Sequence, residues 1–208
     1  MKKILMLLVI FIFVLTAYSC KDKKRAESVE MKSQSKEEKS QMAQWETSDK
    51  KAYKLLIAKI KAQPESASIE QEGGTVEDFI SDTQEQPEPR PVVSVEDFFE
   101  GNEDLDSIGC NLIDHPGIPK FYEVLKGIRA KDNVQDVLIE ISEIDEEFLD
   151  WPFSETVYIL TSASKEEVGK WMEPLQPDEI FEGWGFKKAP SAAPKLRNGM
   201  RVFGAWWD

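Results

Sequence analysis

The sequence predicts an α+β fold: a ferredoxin-like βαββαβ antiparallel sheet with its helices on one face, preceded by a disordered tether. Three observations predict it. The runs Val137–Ile141 and Thr156–Thr161 are apolar and β-branched, as strands are. Helical stripes precede the first run and follow the second. Upstream, residues 21–74 are rich in Lys, Glu, Ser and Gln, a composition that cannot offset its ordering entropy by burial.

The chain divides into an export segment (1–19), a tether with one short helix (20–91) and an acidic domain (92–208). Met1-Lys2-Lys3 is a basic start, and Ile4–Tyr18 is an apolar core. That core is shorter than the roughly 20 residues that span a bilayer as a helix, and has the length of a secretory signal. In the tether, Trp45 and Ala52–Ile60 stand out as an apolar patch of one or two helical turns. Too short to be stable alone, it is read as a helix in a linker, or as one that docks on the domain or lies on a lipid surface. Thr75 and Ser94 each open a helix start with an acidic residue two or three places on. Between them Gln86–Pro91 is a proline-stiffened spacer, where the domain boundary is expected.

Within the domain, Ile108–Leu112 reads as a first strand, and Asp114–Gly117 as a turn. Phe121, Val124, Leu125 and Ile128 form one apolar stripe of a helix over about 119–130. Val137, Ile139 and Ile141 alternate with Leu138, Glu140 and Ser142 in a strand. Thr156–Ser162 is the next strand. Ser164 and Glu167 make a capping box for a helix carrying Val168, Trp171, Met172 and Leu175. Residues 176–198 read as one helical turn at Asp178–Phe181 and then an irregular loop, and Met200–Trp207 is the last strand.

Charge narrows function. Residues 91–208 hold 24 Asp/Glu against 11 Lys/Arg, so the net charge of −13 belongs to the domain. That repels nucleic acid and favours a cationic protein or peptide partner. One histidine and no close cysteine pair exclude the usual zinc sites. Glu143, Asp145, Glu146, Glu147 and Asp150 lack the spacing and central glycine of a calcium loop, and read as a solvated loop. No phosphate loop, nucleophile motif or cofactor fingerprint is present, so no metal or cofactor is expected. Asp114 and His115 are the residues a small hydrolase would use; a turn histidine is the preferred reading. The aromatic residues Tyr158, Trp184, Phe203 and Trp207 suggest a partner-binding platform on the sheet face away from the helices. If that face is covered instead, Trp184 and Phe186 of the long loop are its lid.

Ala17-Tyr18-Ser19-Cys20 resembles the lipobox of bacterial lipoproteins, with Ala17 where that family has leucine and Leu15 two residues earlier. The resemblance implies cleavage before Cys20 and a diacylglyceryl thioether plus an amide-linked acyl chain on it. Several chains at about 0.8 kcal/mol per buried methylene anchor stably to a bilayer. Lys21 beside the cysteine points to the outer membrane. With Cys20 acylated, Cys110 is expected to be a small buried hydrophobe. The segments Gly109–Leu112, Trp151-Pro152-Phe153 and Trp206-Trp207-Asp208 resemble a small uncharacterised bacterial domain, which implies no activity and no site residues. The expectation is an envelope lipoprotein with a non-enzymatic binding domain, against two alternatives: an immunity-type inhibitor of a basic toxin, and a small hydrolase.

Overall fold

Successive side chains in a strand point to opposite faces, so a wholly apolar run is stable only where both faces of its sheet are covered. The computed structural model describes residues 47–67, 89–145 and 150–208. In chain order these form α1 (Thr47–Lys61), β1 (Val92–Ser94), α2 (Val95–Phe99), a 3-10 turn (Leu105–Ser107) and α3 (Ile118–Arg129). They continue with β2 (Val134–Glu140), β3 (Thr156–Thr161), α4 (Lys165–Met172), a second 3-10 turn (Glu173–Leu175), β4 (Glu179–Glu182) and β5 (Arg201–Trp206). The five strands make one sheet in the order β1-β2-β3-β5-β4, every neighbouring pair antiparallel.

The helices cover one face. Val93, Ile139, Ile159 and Phe203 meet them from four strands, and Leu125, Ile128, Val168 and Met172 come down from α3 and α4. The stripe expected of α3 is the one buried, with Phe121, Leu125 and Ile128 inside. Two of the three expected caps form, Ser94 Oγ accepting from the Asp97 amide at 3.1 Å and Ser164 Oγ from the Glu167 amide at 3.3 Å; the third, Thr75, lies outside the described residues. Arg129, in the last turn of α3, forms a two-pronged ion pair with Glu96 of α2, which fixes how these two helices cross.

Three expectations are corrected. First, the arrangement is not the four-stranded ferredoxin-like sheet. Ile108–Leu112 is no strand: Gly109 turns into the left-handed region at φ 63°, and only Ile108 contributes a single bridge, to Ser154. The first strand comes earlier, as Val92–Ser94, which pairs Val93 with Ile139. Second, Asp178–Phe181 is not a helical turn. Glu179–Glu182 is an edge strand paired with β5, Phe181 lying opposite Gly204. A Cβ on Gly204 would stand 2.1 Å from the Phe181 ring, so the phenyl occupies the space a side chain would take. Third, α1 is no free linker helix. Leu56 and Ile60 are buried in the main core, and Tyr53 meets Trp151 edge-on with ring centroids 6.1 Å apart. Gln63, just past α1, donates to the Val92 carbonyl at 2.9 Å and accepts from its amide at 3.1 Å. It satisfies the open edge of β1 as a further strand would.

The other sheet face carries a smaller apolar cluster, Val92, Leu138, Tyr158, Leu160 and Val202, with Phe181, Trp184 and Ala193 over it. The cover is the strap 183–199. It is tied down where the Gln135 side chain donates to the Lys195 carbonyl at 2.9 Å and accepts from the Arg197 amide at 2.8 Å. Glu65 holds its middle, accepting from the Ser191 amide and hydroxyl at 2.7 Å each. Although burial works against it, those bonds keep the Glu65 carboxyl below its usual range.

Candidate functional site

Beneath the strap lies the polar constellation of the second face. Glu140, the last residue of β2, is only 3% exposed. It pairs with Thr156, and its diagonal same-face neighbour is Tyr158, two residue pairs along the β2–β3 ladder. The Tyr158 hydroxyl donates to Glu140 Oε2 at 2.6 Å and accepts from the Gly185 amide at 3.1 Å. Strap, tyrosine and carboxyl therefore form one hydrogen-bonded line. Trp184 packs edge-on against the Tyr158 ring, centroids 4.7 Å apart. Burial, opposed by the tyrosine hydrogen bond and by Arg90, pushes the Glu140 carboxyl up to about 7. Burial and then the Glu140 charge push the Tyr158 phenol upward as well. Water is the better solvent for a carboxylate, and exclusion from it is the dominant cause here.

Arg90 closes the constellation from outside. It lies two residues before Val92, and so shares the strap side of the edge strand with it. Its guanidinium carbon stands 5.5 Å from the centre of the Phe186 ring, and Nη1 is 3.9 Å from Glu155 Oε2. The arrangement can do two things chemically. It holds a proton on Glu140 near neutral pH, and it seats a guanidinium between the Phe186 ring and the Glu155 carboxylate.

The aromatic residues singled out in the sequence do not come together on one surface. Tyr158 and Trp184 belong to the strap side, as just described. Phe203 and Trp207 are buried on the helix side, and Trp207 Nε1 donates to the Leu175 carbonyl at 2.8 Å. The covered-face expectation describes this molecule, with Trp184 and Phe186 in the lid. Glu140 and Arg90 are the residues that sequence reasoning missed. The available signals were an acid inside an otherwise apolar run, and a lone base between two prolines.

His115 is held on both sides. Its Nε2 lies 2.8 Å from the Ile108 carbonyl and its Nδ1 accepts from the Gly117 amide at 2.9 Å. Those partners define a neutral ring donating through Nε2. Both nitrogens are spent on pinning the 108–117 loop, and its ring lies 5.4 Å from Phe121, so this is a turn histidine. Cys110 is 8% exposed, a small buried side chain as expected. Cys20 lies outside the described residues, as do Glu146 and Glu147 of the acidic loop. Among the described residues no helix is long and apolar enough to cross a membrane.

These features define a small acidic α+β domain, helices on one face of an antiparallel sheet and a basic strap across the other. The chain belongs to the uncharacterized protein YfbO family, which matches residues 74–205. Uncharacterized protein YfbO of Escherichia coli (strain K12) is 41% identical to it over 121 residues, 58% of this chain and 84% of that protein. The family match begins after α1, takes in the first four strands and ends within β5, at residue 205. No solved structure matches the chain.

Proposed function

We propose that this chain is a lipid-anchored protein of the bacterial cell envelope whose acidic domain binds a cationic protein or peptide and performs no catalysis. The observation that carries the binding reading is how charge is distributed. Five of the domain's 11 basic residues fall within 187–201, four on the strap and Arg201 at the start of β5, and no acidic residue occurs in that stretch. The remainder of the domain then holds six basic residues against 24 acidic ones. A body so strongly of one sign raises the encounter rate with oppositely charged partners and rejects like-charged ones. The anchoring reading rests on Met1–Cys20: a basic start, a short apolar core and a cysteine at the cleavage point.

One purification tests both. The protein is extracted from the envelope fraction of its own host, and the mass of its mature N-terminus is measured without reduction. The expected chain starts at Cys20 and carries acyl groups. A chain starting at Met1, an unmodified Cys20, or a Cys20–Cys110 bridge refutes the anchor, because the thioether and the bridge need the same sulfur. The same preparation should retain a basic polypeptide whose capture weakens as salt is raised, since salt screens exposed charges. Failure to retain any basic polypeptide refutes the binding reading.

A further inference from the structure

The strap side of the sheet has a feature that a plain acidic surface lacks. A guanidinium already rests there, and it comes from the segment leading into the domain rather than from the sheet. We propose that Phe186, Glu155 and the carboxyl-bearing floor at Glu140 form a recognition seat for an arginine side chain, and that Arg90 occupies it in cis until an arginine of a cationic polypeptide displaces it.

The geometry fits this ligand chemistry. A guanidinium is planar, weakly hydrated and always charged, so it stacks on a ring and pairs with carboxylates where an ammonium does so less well. Here the ring is Phe186, 5.5 Å below the Arg90 guanidinium carbon. The carboxylate is Glu155, 3.9 Å from Arg90 Nη1. The Arg90 charge favours an ionised Glu140, whose carboxyl is held in place by the hydrogen bond from Tyr158. Phe186 itself is carried by the strap, whose Gly185 amide is bonded to the same Tyr158 hydroxyl. Seat and floor are therefore parts of one bonded assembly.

The occupant is exchangeable for three reasons. The Arg90 and Glu155 side chains remain 25% and 27% exposed, so a competing side chain reaches the seat from solvent. The ion pair is long and lies at the surface, where such pairs and exposed cation–π contacts each shift an equilibrium only about fivefold or less. And Arg90 precedes an edge strand of three residues, so releasing its side chain breaks no strand pairing of the sheet. A site filled in cis binds an outside ligand with an affinity scaled down to the fraction of time it stands empty. This inference rests on the cationic-partner reading above and names where that partner's arginine goes.

The test uses the full chain with hexa-arginine as probe, binding followed by calorimetry at low salt. Arg90→Gln empties the seat. It should bind hexa-arginine roughly tenfold more tightly than the parent protein, the combined scale of a surface ion pair and an exposed cation–π contact. Arg197→Gln makes the same charge change elsewhere, on the strap itself, and should leave affinity within about twofold, because its effect is only long-range and screened. Adding Phe186→Leu to Arg90→Gln should return affinity to the parent value or below. Should Arg90→Gln lose its cooperative thermal transition, Arg90→Lys takes its place. An ammonium holds the ring less well, and a several-fold gain is expected. Equal gains for Arg90→Gln and Arg197→Gln overturn the seat while leaving the cationic-partner reading intact. No binding by parent or variants overturns both.

Discussion

Replacing Glu140 by glutamine should remove a specific pH dependence from the stability of this protein. In the folded chain the carboxyl titrates at about 7, against an ordinary 4.5. A folded-state value raised above the unfolded one means that the unfolded chain gives up its proton first as pH rises. Between 4.5 and about 7 the unfolded state therefore holds fewer protons, and stability falls with increasing pH across that window. The difference of about 2.5 units, at 1.36 kcal/mol each, corresponds to roughly 3 kcal/mol lost by pH 8. Glutamine has nearly the same shape, carries no charge and can still accept from the Tyr158 hydroxyl. Below pH 4.5 the two proteins should be about equally stable, the parent's carboxyl being neutral there too. At pH 8 the variant should be the more stable by roughly 3 kcal/mol, a rise of about 10 °C in Tm for a domain of this size. Arg90, Glu155 and Tyr158 face the carboxyl in both proteins, and carboxylates such as Glu65 titrate in both. The difference between the two profiles thus isolates Glu140. The assay is urea unfolding at pH 4.5, 6, 7 and 8, comparing midpoints at unchanged slope. Parallel stability profiles for the two proteins would refute the argument that Glu140 is buried and held neutral.

Three further outcomes are expected. Leu56→Ala should cost about 2–5 kcal/mol, because the side chain is 1% exposed inside the main core; a fragment of residues 91–208 should likewise melt well below residues 47–208, and equal melting temperatures would show that α1 is dispensable. Gly204→Ala should cost about 1–3 kcal/mol by driving the Phe181 ring off β5. Phe181→Ala in the same chain should absorb much of that cost, so strictly additive losses would refute the contact. His115→Ala should destabilise by about 1–3 kcal/mol through two lost bonds to the 108–117 backbone, read by thermal melting; an unchanged melting curve would show that the ring does not hold the loop.

What the sequence determined by itself was whatever depends on near neighbours. The stripe of α3, the serine caps at Ser94 and Ser164, the alternation along β2 and the apolar run of β3 are set by residues within about seven positions of one another, so local pattern reveals them. The charge excess is legible in the same way, from composition alone. Only tertiary structure decided the rest. Val92–Ser94 and Glu179–Glu182 are too short for a pattern of their own, and are strands because β2 and β5 offer them open edges. Apolar residues of α1 could serve a lipid surface or a protein core, and Trp151, about a hundred residues away in sequence, makes it the core. Phe203 and Trp207 read as platform residues until the helices covered them. The candidate site was the least legible part. Glu140, Tyr158, Gly185 and Arg90 come from four separate segments, and the properties that matter, a carboxyl kept from water and a guanidinium resting on a ring, exist only once the strap closes over the sheet.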